Sequence, residues 1–142
     1  MFDAGGVFFE DLSIGQSAEY DRTVTESDIL QFSELSGDTN PLHLDESYAA
    51  QTLFKGRIAH GMLSVGFLSA VLGTRLPGPG SIYVTQNLRF KAPVRIGDKV
   101  VAKVEVVALD QPGNRATFKT TCLVGDKVVI DGDAVLMVPS RK

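Results

Sequence analysis

Residues 60–74 read HGMLSVGFLSAVLGT, and the fold turns on what this segment becomes. As a helix it places Met62, Leu63, Val65, Phe67, Leu68, Val71 and Leu72 on nearly every face, a pattern that predicts burial all round. The nearly apolar run, 62–72, is far below the roughly 18 or more residues of a membrane span, so it belongs in a core. Gly61, Gly66 and Gly73 would each cost about 1 kcal/mol against alanine inside a helix. They need a reason, either close backbone packing or room for a ligand. LPGPG at 76–80 ends the helix, because proline cannot continue it and glycine reverses the chain cheaply.

Everything after this stop reads as strand. Segments 81–90, 98–109, 114–124 and 127–138 are rich in Val, Ile, Thr and aromatic residues, with alternation clearest from Lys99 to Leu109. Gly125 and Asp126 leave two residues for a tight hairpin, and DQPGN (110–114) makes another short joint, so the last three strands form an antiparallel meander. Before the central helix, residues 14–24 give a first strand, and Thr25 caps a helix over ESDILQFSEL with Asp28 in its first turn. That helix stops at Gly37, and Asp45 caps a short helix over ESYAAQ. The order of elements is that of an α+β domain, one antiparallel sheet with one central buried helix, spanning residues 1–142 without repeat or linker.

Composition narrows the functions. A net charge of −3 argues against a phosphate-neutralising protein, so nucleic acid is not an expected partner. The N-terminal MFDAGGVFFEDL is acidic and lacks a basic segment followed by an apolar run; a cytoplasmic protein without membrane attachment is expected. The single cysteine, Cys122, lies in strand-forming TFKTTCLVG and reads as a small buried apolar side chain.

SGDTNPLH, 36–43, is where polar chemistry concentrates, in a turn-forming stretch that no helix or strand requires. Asp38 accepts hydrogen bonds when ionised, His43 titrates near neutrality, and Asn40 donates and accepts without titrating. Together they can hold and deprotonate a water. An Asx turn or a helix cap would equally explain Asp38, Asn40 and Pro41, but not His43. His60 reads as a structural residue at a helix start. A metal site from Asp38, His43, Asp45 and His60 matches no ligand signature, and none is expected. Ser64 lacks the GxSxG context of a hydrolase nucleophile, and GPGS follows a helix where a phosphate loop would follow a strand.

FSELSGDTNPLHLDESYA followed by RIAHGML, with GSIYVTQNLRFKAPVRIGDKV beyond, resembles the MaoC-like (R)-specific enoyl-CoA hydratases from Ile14 to Val138. The resemblance implies the hot-dog fold, an antiparallel sheet of about five strands wrapped around a central helix. It implies reversible hydration of trans-2-enoyl-CoA to (R)-3-hydroxyacyl-CoA, with water held between Asp38 and His43 and no metal or organic cofactor. By the same resemblance the backbone N–H of Gly61 faces the thioester oxygen and Asn40 orients the motif or the water. Ser64 and Gly66 would leave room for the acyl chain, Arg89 and Lys91, with Arg95, would meet the phosphates of acyl-CoA, and a homodimer forms by sheet pairing. Supply of polyhydroxyalkanoate monomers, fatty-acid breakdown and branched or dicarboxylic acyl routes would all use such chemistry. The alternatives within the fold are a (3R)-hydroxyacyl-ACP dehydratase, a thioesterase and a non-catalytic acyl-binding subunit.

Overall fold

The computed structural model describes residues 5–142, so the first four residues of the acidic N-terminal stretch lie outside the described residues. A five-stranded antiparallel sheet in the order β1-β3-β4-β5-β2 is built from β1 (Ser17–Thr23), β2 (Ile82–Phe90), β3 (Lys99–Asp110), β4 (Arg115–Val124) and β5 (Lys127–Met137). The β3-β4-β5 meander matches the expected one, with Gly125 at φ 59° in the β4-β5 turn, a conformation that costs glycine little. Helices α1 (Glu26–Ser36), α2 (Pro41–Leu44), α3 (Glu46–Ala49) and α4 (Gly61–Thr74) all fall between β1 and β2.

Period-two alternation decides which face of the sheet meets α4. Val100, Ala102, Val104 and Val106 of β3 and Ala116, Phe118, Thr120 and Cys122 of β4 are completely buried, while the residues between them are not. Against them α4 buries Val65, Phe67, Leu68, Val71 and Leu72. Leu68 is wholly enclosed, and truncating such a leucine to alanine costs about 2–5 kcal/mol. Burial also pushes the Cys122 thiol up to about 12, in keeping with an unreactive core residue.

Burial of α4 is not complete, which corrects the reading of a helix enclosed on every side. Met62, Gly66, Ser69 and Gly73 form an exposed stripe at spacings of four, three and four. Beyond their own helix turn, neither Gly66 nor Gly73 has a described atom within 4 Å of where a Cβ would stand, so tight packing against the described residues is not their reason. The edge strand β2 is open as well, with Ile82, Tyr83, Val84 and Phe90 all exposed. Helix and edge strand therefore share an unfilled apolar groove lined by Met62, Val65, Gly66, Ser69, Tyr83 and Leu88.

Candidate active site

Helix α1 is fastened at its start by a reciprocal capping box between Thr25 and Asp28. Arg22 of β1 grips Asp28 through two bonds of 3.1 and 2.6 Å, and this pairing holds the Asp28 carboxyl below its usual range. At the other end Gly37 takes φ 82°, the left-handed turn that stops a helix cheaply. A relay of short-range bonds follows: the Ser36 hydroxyl accepts from Asp38 N–H (3.1 Å), the Asp38 carboxylate from Asn40 N–H (3.2 Å), and the Asn40 side chain from Leu42 N–H (3.0 Å).

The last of these bonds caps α2, with Pro41 at its first turn. A helical turn thus begins inside the motif, which corrects its reading as a stretch no helix requires. Asn40 and Pro41 are the start signal: the amide satisfies a free N–H and the proline ring presets φ. The consequence is the placement of His43. It is buried, and its Nδ1–H donates to the Ile58 carbonyl at 2.8 Å, which leaves the lone pair of a neutral ring on Nε2. From below, Arg57 donates Nε–H to the His43 carbonyl at 2.7 Å while its two terminal nitrogens clasp Glu26 at 2.8 and 2.6 Å.

His60 stands at the N-cap position of α4, but its side chain makes no capping bond. It is buried, with Nε2 3.1 Å from both the Asp38 carbonyl and the Ser33 hydroxyl, and its ring stacks on His43 at 3.9 Å between centroids. Burial, with His43 adding to it, holds its imidazole below the ordinary range. Nothing in the local sequence marks this partnership across 17 positions; only the chain reversal through α3 creates it.

Asp38, His43 and His60 each bring a potential ligand atom within 4.8 Å of the others, whereas Asp45 is absent from this cluster and caps α3 instead. The donor directions do not suit an ion. Imidazole lone pairs lie in the ring plane, and planes 29° apart and stacked offer no common point along both lone pairs.

His43 opens onto a cleft of about 250 Å³ walled by Phe54, Ile58, Gly61, Phe90, Val94 and Ile130. Gly61 is the first residue of α4, and its N–H has no acceptor among the described residues. A Cβ here would stand 2.5 Å from the Phe90 ring. Lys91 also lines this cleft and pairs with Asp131 at 3.3 Å. Arg89 does not: it lies on the outer face of the sheet in a polar groove with Lys119, Asp131 and Asp133. Arg95 donates to the Phe54 and Arg57 carbonyls and so braces the loop before α4. Ser64 is wholly buried, its hydroxyl without a partner among the described residues, and is not part of the cleft wall; Gly66 faces the groove beside β2.

Comparison with known proteins converges. A protein of Rhodospirillum rubrum named (R)-specific enoyl-CoA hydratase is 62% identical over 134 residues, covering 94% of this chain and 93% of that one. A 3-hydroxybutyryl-CoA dehydratase of Methylorubrum extorquens is 51% identical, with 96% and 87% covered. Among solved structures, unliganded R-hydratase PhaJ1 of Pseudomonas aeruginosa superposes with a TM-score of 0.89 at 45% identity, covering 96% of this chain and 88% of that one. The (R)-hydratase from A. caviae involved in PHA biosynthesis gives 0.88 at 43%, with 92% and 99% covered. The sheet curled around α4 is the hot-dog fold of these hydratases. The MaoC like domain family matches residues 11–131, and with the relatives above this means that the chain belongs to the MaoC-like family.

Proposed function

We propose that this protein is an (R)-specific enoyl-CoA hydratase, a hydro-lyase that adds water to trans-2-enoyl-CoA to give (R)-3-hydroxyacyl-CoA and runs the reverse dehydration. The observation that carries the residue assignment is His43 Nε2, left as the free lone pair by the Nδ1–H bond to Ile58, beside Asp38 at the mouth of an apolar cleft.

Conjugation with the thioester makes C3 electrophilic. One water, held between Asp38 and His43, gives up a proton to this pair as its oxygen bonds to C3. Electrons shift through C2 towards the thioester oxygen, and the pair returns one proton to C2, so atoms and charge balance over the cycle. The oxygen's transient negative charge meets the Gly61 N–H, a fixed dipole end of a 14-residue helix that needs no reorganisation. Asn40 serves by building the turn that carries His43. The apolar wall of Phe54, Ile58, Phe90 and Ile130 suits an acyl chain. Lys91, at the cleft rim, is suited to a CoA phosphate.

Two copies paired through the open β2 edge and the exposed α4 stripe complete the assembly, because an unpaired apolar edge strand otherwise invites aggregation. Such a homodimer is expected in the cytoplasm.

The test is loss of enoyl absorbance on adding crotonyl-CoA, crotonyl-ACP and longer enoyl-CoAs, with the product's hand read by an (R)-specific dehydrogenase. Asp38→Asn and His43→Ala should each lose at least about a hundredfold in kcat while keeping wild-type circular dichroism. Folded variants that both hydrate crotonyl-CoA at near wild-type rates would refute the assignment.

A further inference from the structure

The mechanism above leaves a buried imidazole unused. His60 is only 2% exposed and lies between two rings, Phe32 of α1 at 4.8 Å and His43 of α2 at 3.9 Å. Its edge meets the Asp38 carbonyl and the Ser33 hydroxyl, each 3.1 Å from Nε2. A carbonyl oxygen can only accept, so the proton sits on Nε2 and the tautomer follows from the contact itself. Nδ1 is then the bare nitrogen, buried without a partner among the described residues.

One ring therefore touches both members of the water-holding pair in different ways, Asp38 through its backbone and His43 through its face. Asp38 needs such an anchor. Its own side chain is exposed, and its connector is held otherwise by bonds within positions 36–42. We infer that His60 is a positioning residue for the hydration reaction: its Nε2–H fixes the Asp38 backbone while its ring face fixes the His43 imidazole, setting the gap across which one water is gripped. The inference rests on the assignment of Asp38 and His43 given above.

Neutrality suits this task. The groups facing His60 are Ser33, Asp38 and Phe32 from the α1 side and His43 from α2. Its burial disfavours a second cation against His43, which must itself be free to take a proton.

Three variants separate the two contacts. His60→Phe keeps a flat ring and loses the donor, His60→Gln keeps a donor and loses the ring, and His60→Leu loses both. With crotonyl-CoA as probe, His60→Phe and His60→Leu should each lower kcat at least about tenfold with KM changed less than about threefold, since a misplaced group near the chemistry is felt in the reacting state. His60→Gln should fall between wild type and His60→Leu. In all three the shape of the pH profile of kcat/KM should change, because the geometry of the water-holding pair governs how the two groups share the proton in the reaction. A purely structural role would scale activity with the folded fraction seen by circular dichroism and leave the pH profile in place. That result, or kcat within twofold of wild type in His60→Leu, overturns the inference; should His60→Leu not fold, His60→Gln with an unmoved profile overturns it equally. Asp38→Asn and His43→Ala run alongside: if they too remain active, the underlying assignment has failed, and if they alone are inactive, only the role of His60 has.

Discussion

Replacing Gly61 by alanine adds one methyl group whose consequences can be worked from the structure. The backbone at Gly61 is helical, so it does not demand glycine; the surroundings do. The new carbon would stand 2.5, 2.6 and 3.4 Å from three atoms of the Phe90 ring. An ordinary carbon contact is about 3.5–4.0 Å, so the ring must retreat by roughly 1 Å. Phe90 is 56% exposed and belongs to the edge strand, so it can swing outward. Alanine's helix preference, worth up to about 1 kcal/mol, offsets much of that movement. Stability should thus change by no more than about 1 kcal/mol, or about 4 °C in Tm. Activity should respond quite differently. The methyl occupies the approach to the unpaired N–H, and loss of such a donor to a developing oxyanion costs about 10²–10³ in kcat. Hydration of crotonyl-CoA by Gly61→Ala should fall about a hundredfold. In the double variant Gly61→Ala with Phe90→Ala the steric conflict is gone, yet the low rate should persist. A Gly61→Ala enzyme within threefold of wild-type kcat would show that the thioester oxygen does not sit above this residue, and a double variant restored to full rate would show that only the Phe90 ring mattered.

Arg57→Lys should lower kcat about fivefold while leaving crotonyl-CoA KM nearly unchanged, because one ammonium cannot clasp Glu26 and hold the His43 carbonyl together; a rate equal to wild type would mean the clasp does not position His43. Stability should fall in two stages on acidification, read as denaturant midpoints across pH. His60 has a folded-state pKa below its unfolded value of 6.5, so the unfolded chain binds the proton first, and stability present above pH 6.5 is lost as pH falls through it towards the folded value. Asp28 is likewise depressed below 3.8, by its bond to Arg22 first, so its contribution is present above pH 3.8 and lost below as pH approaches the folded value. His60→Gln should flatten the first stage and Asp28→Asn the second; unchanged slopes in either variant would refute the corresponding source.

The meander and the central helix were legible because local signals agreed with the tertiary arrangement. Alternation from Lys99 to Leu109 became the buried Val100, Ala102, Val104 and Val106 stripe, and the two-residue β4-β5 joint formed where Gly125 allows the turn. Strand boundaries after α4 fall within one residue of the expected ones. One reading failed because composition reports apolarity but not which surface covers it. Apolar residues all round α4 did not reveal that the Met62, Gly66, Ser69 and Gly73 stripe stays exposed. Arg89 and Lys91 looked equivalent in LRFKAPVR, yet the strand places Arg89 on the outer face of the sheet while Lys91, just past its end, reaches the cleft rim. The contacts of His60 were not legible in the sequence. Its meaning depends on a stacking partner and a carbonyl brought together by three turns of chain, and no periodicity encodes either.

Asp38, Asn40, His43 and Gly61, the groups assigned to the reaction, lie on a run of chain that contains helices and connectors but no strand. The opposite bank of the cleft, Phe90, Ala92, Val94 and Ile130, comes from the sheet and its approaches. On the proposed assignment, the reacting groups and this bank of the wall are encoded in separable parts of the gene. A library randomised at those four wall positions can explore longer or branched chains without disturbing the machinery, and the two parts can be evolved one at a time.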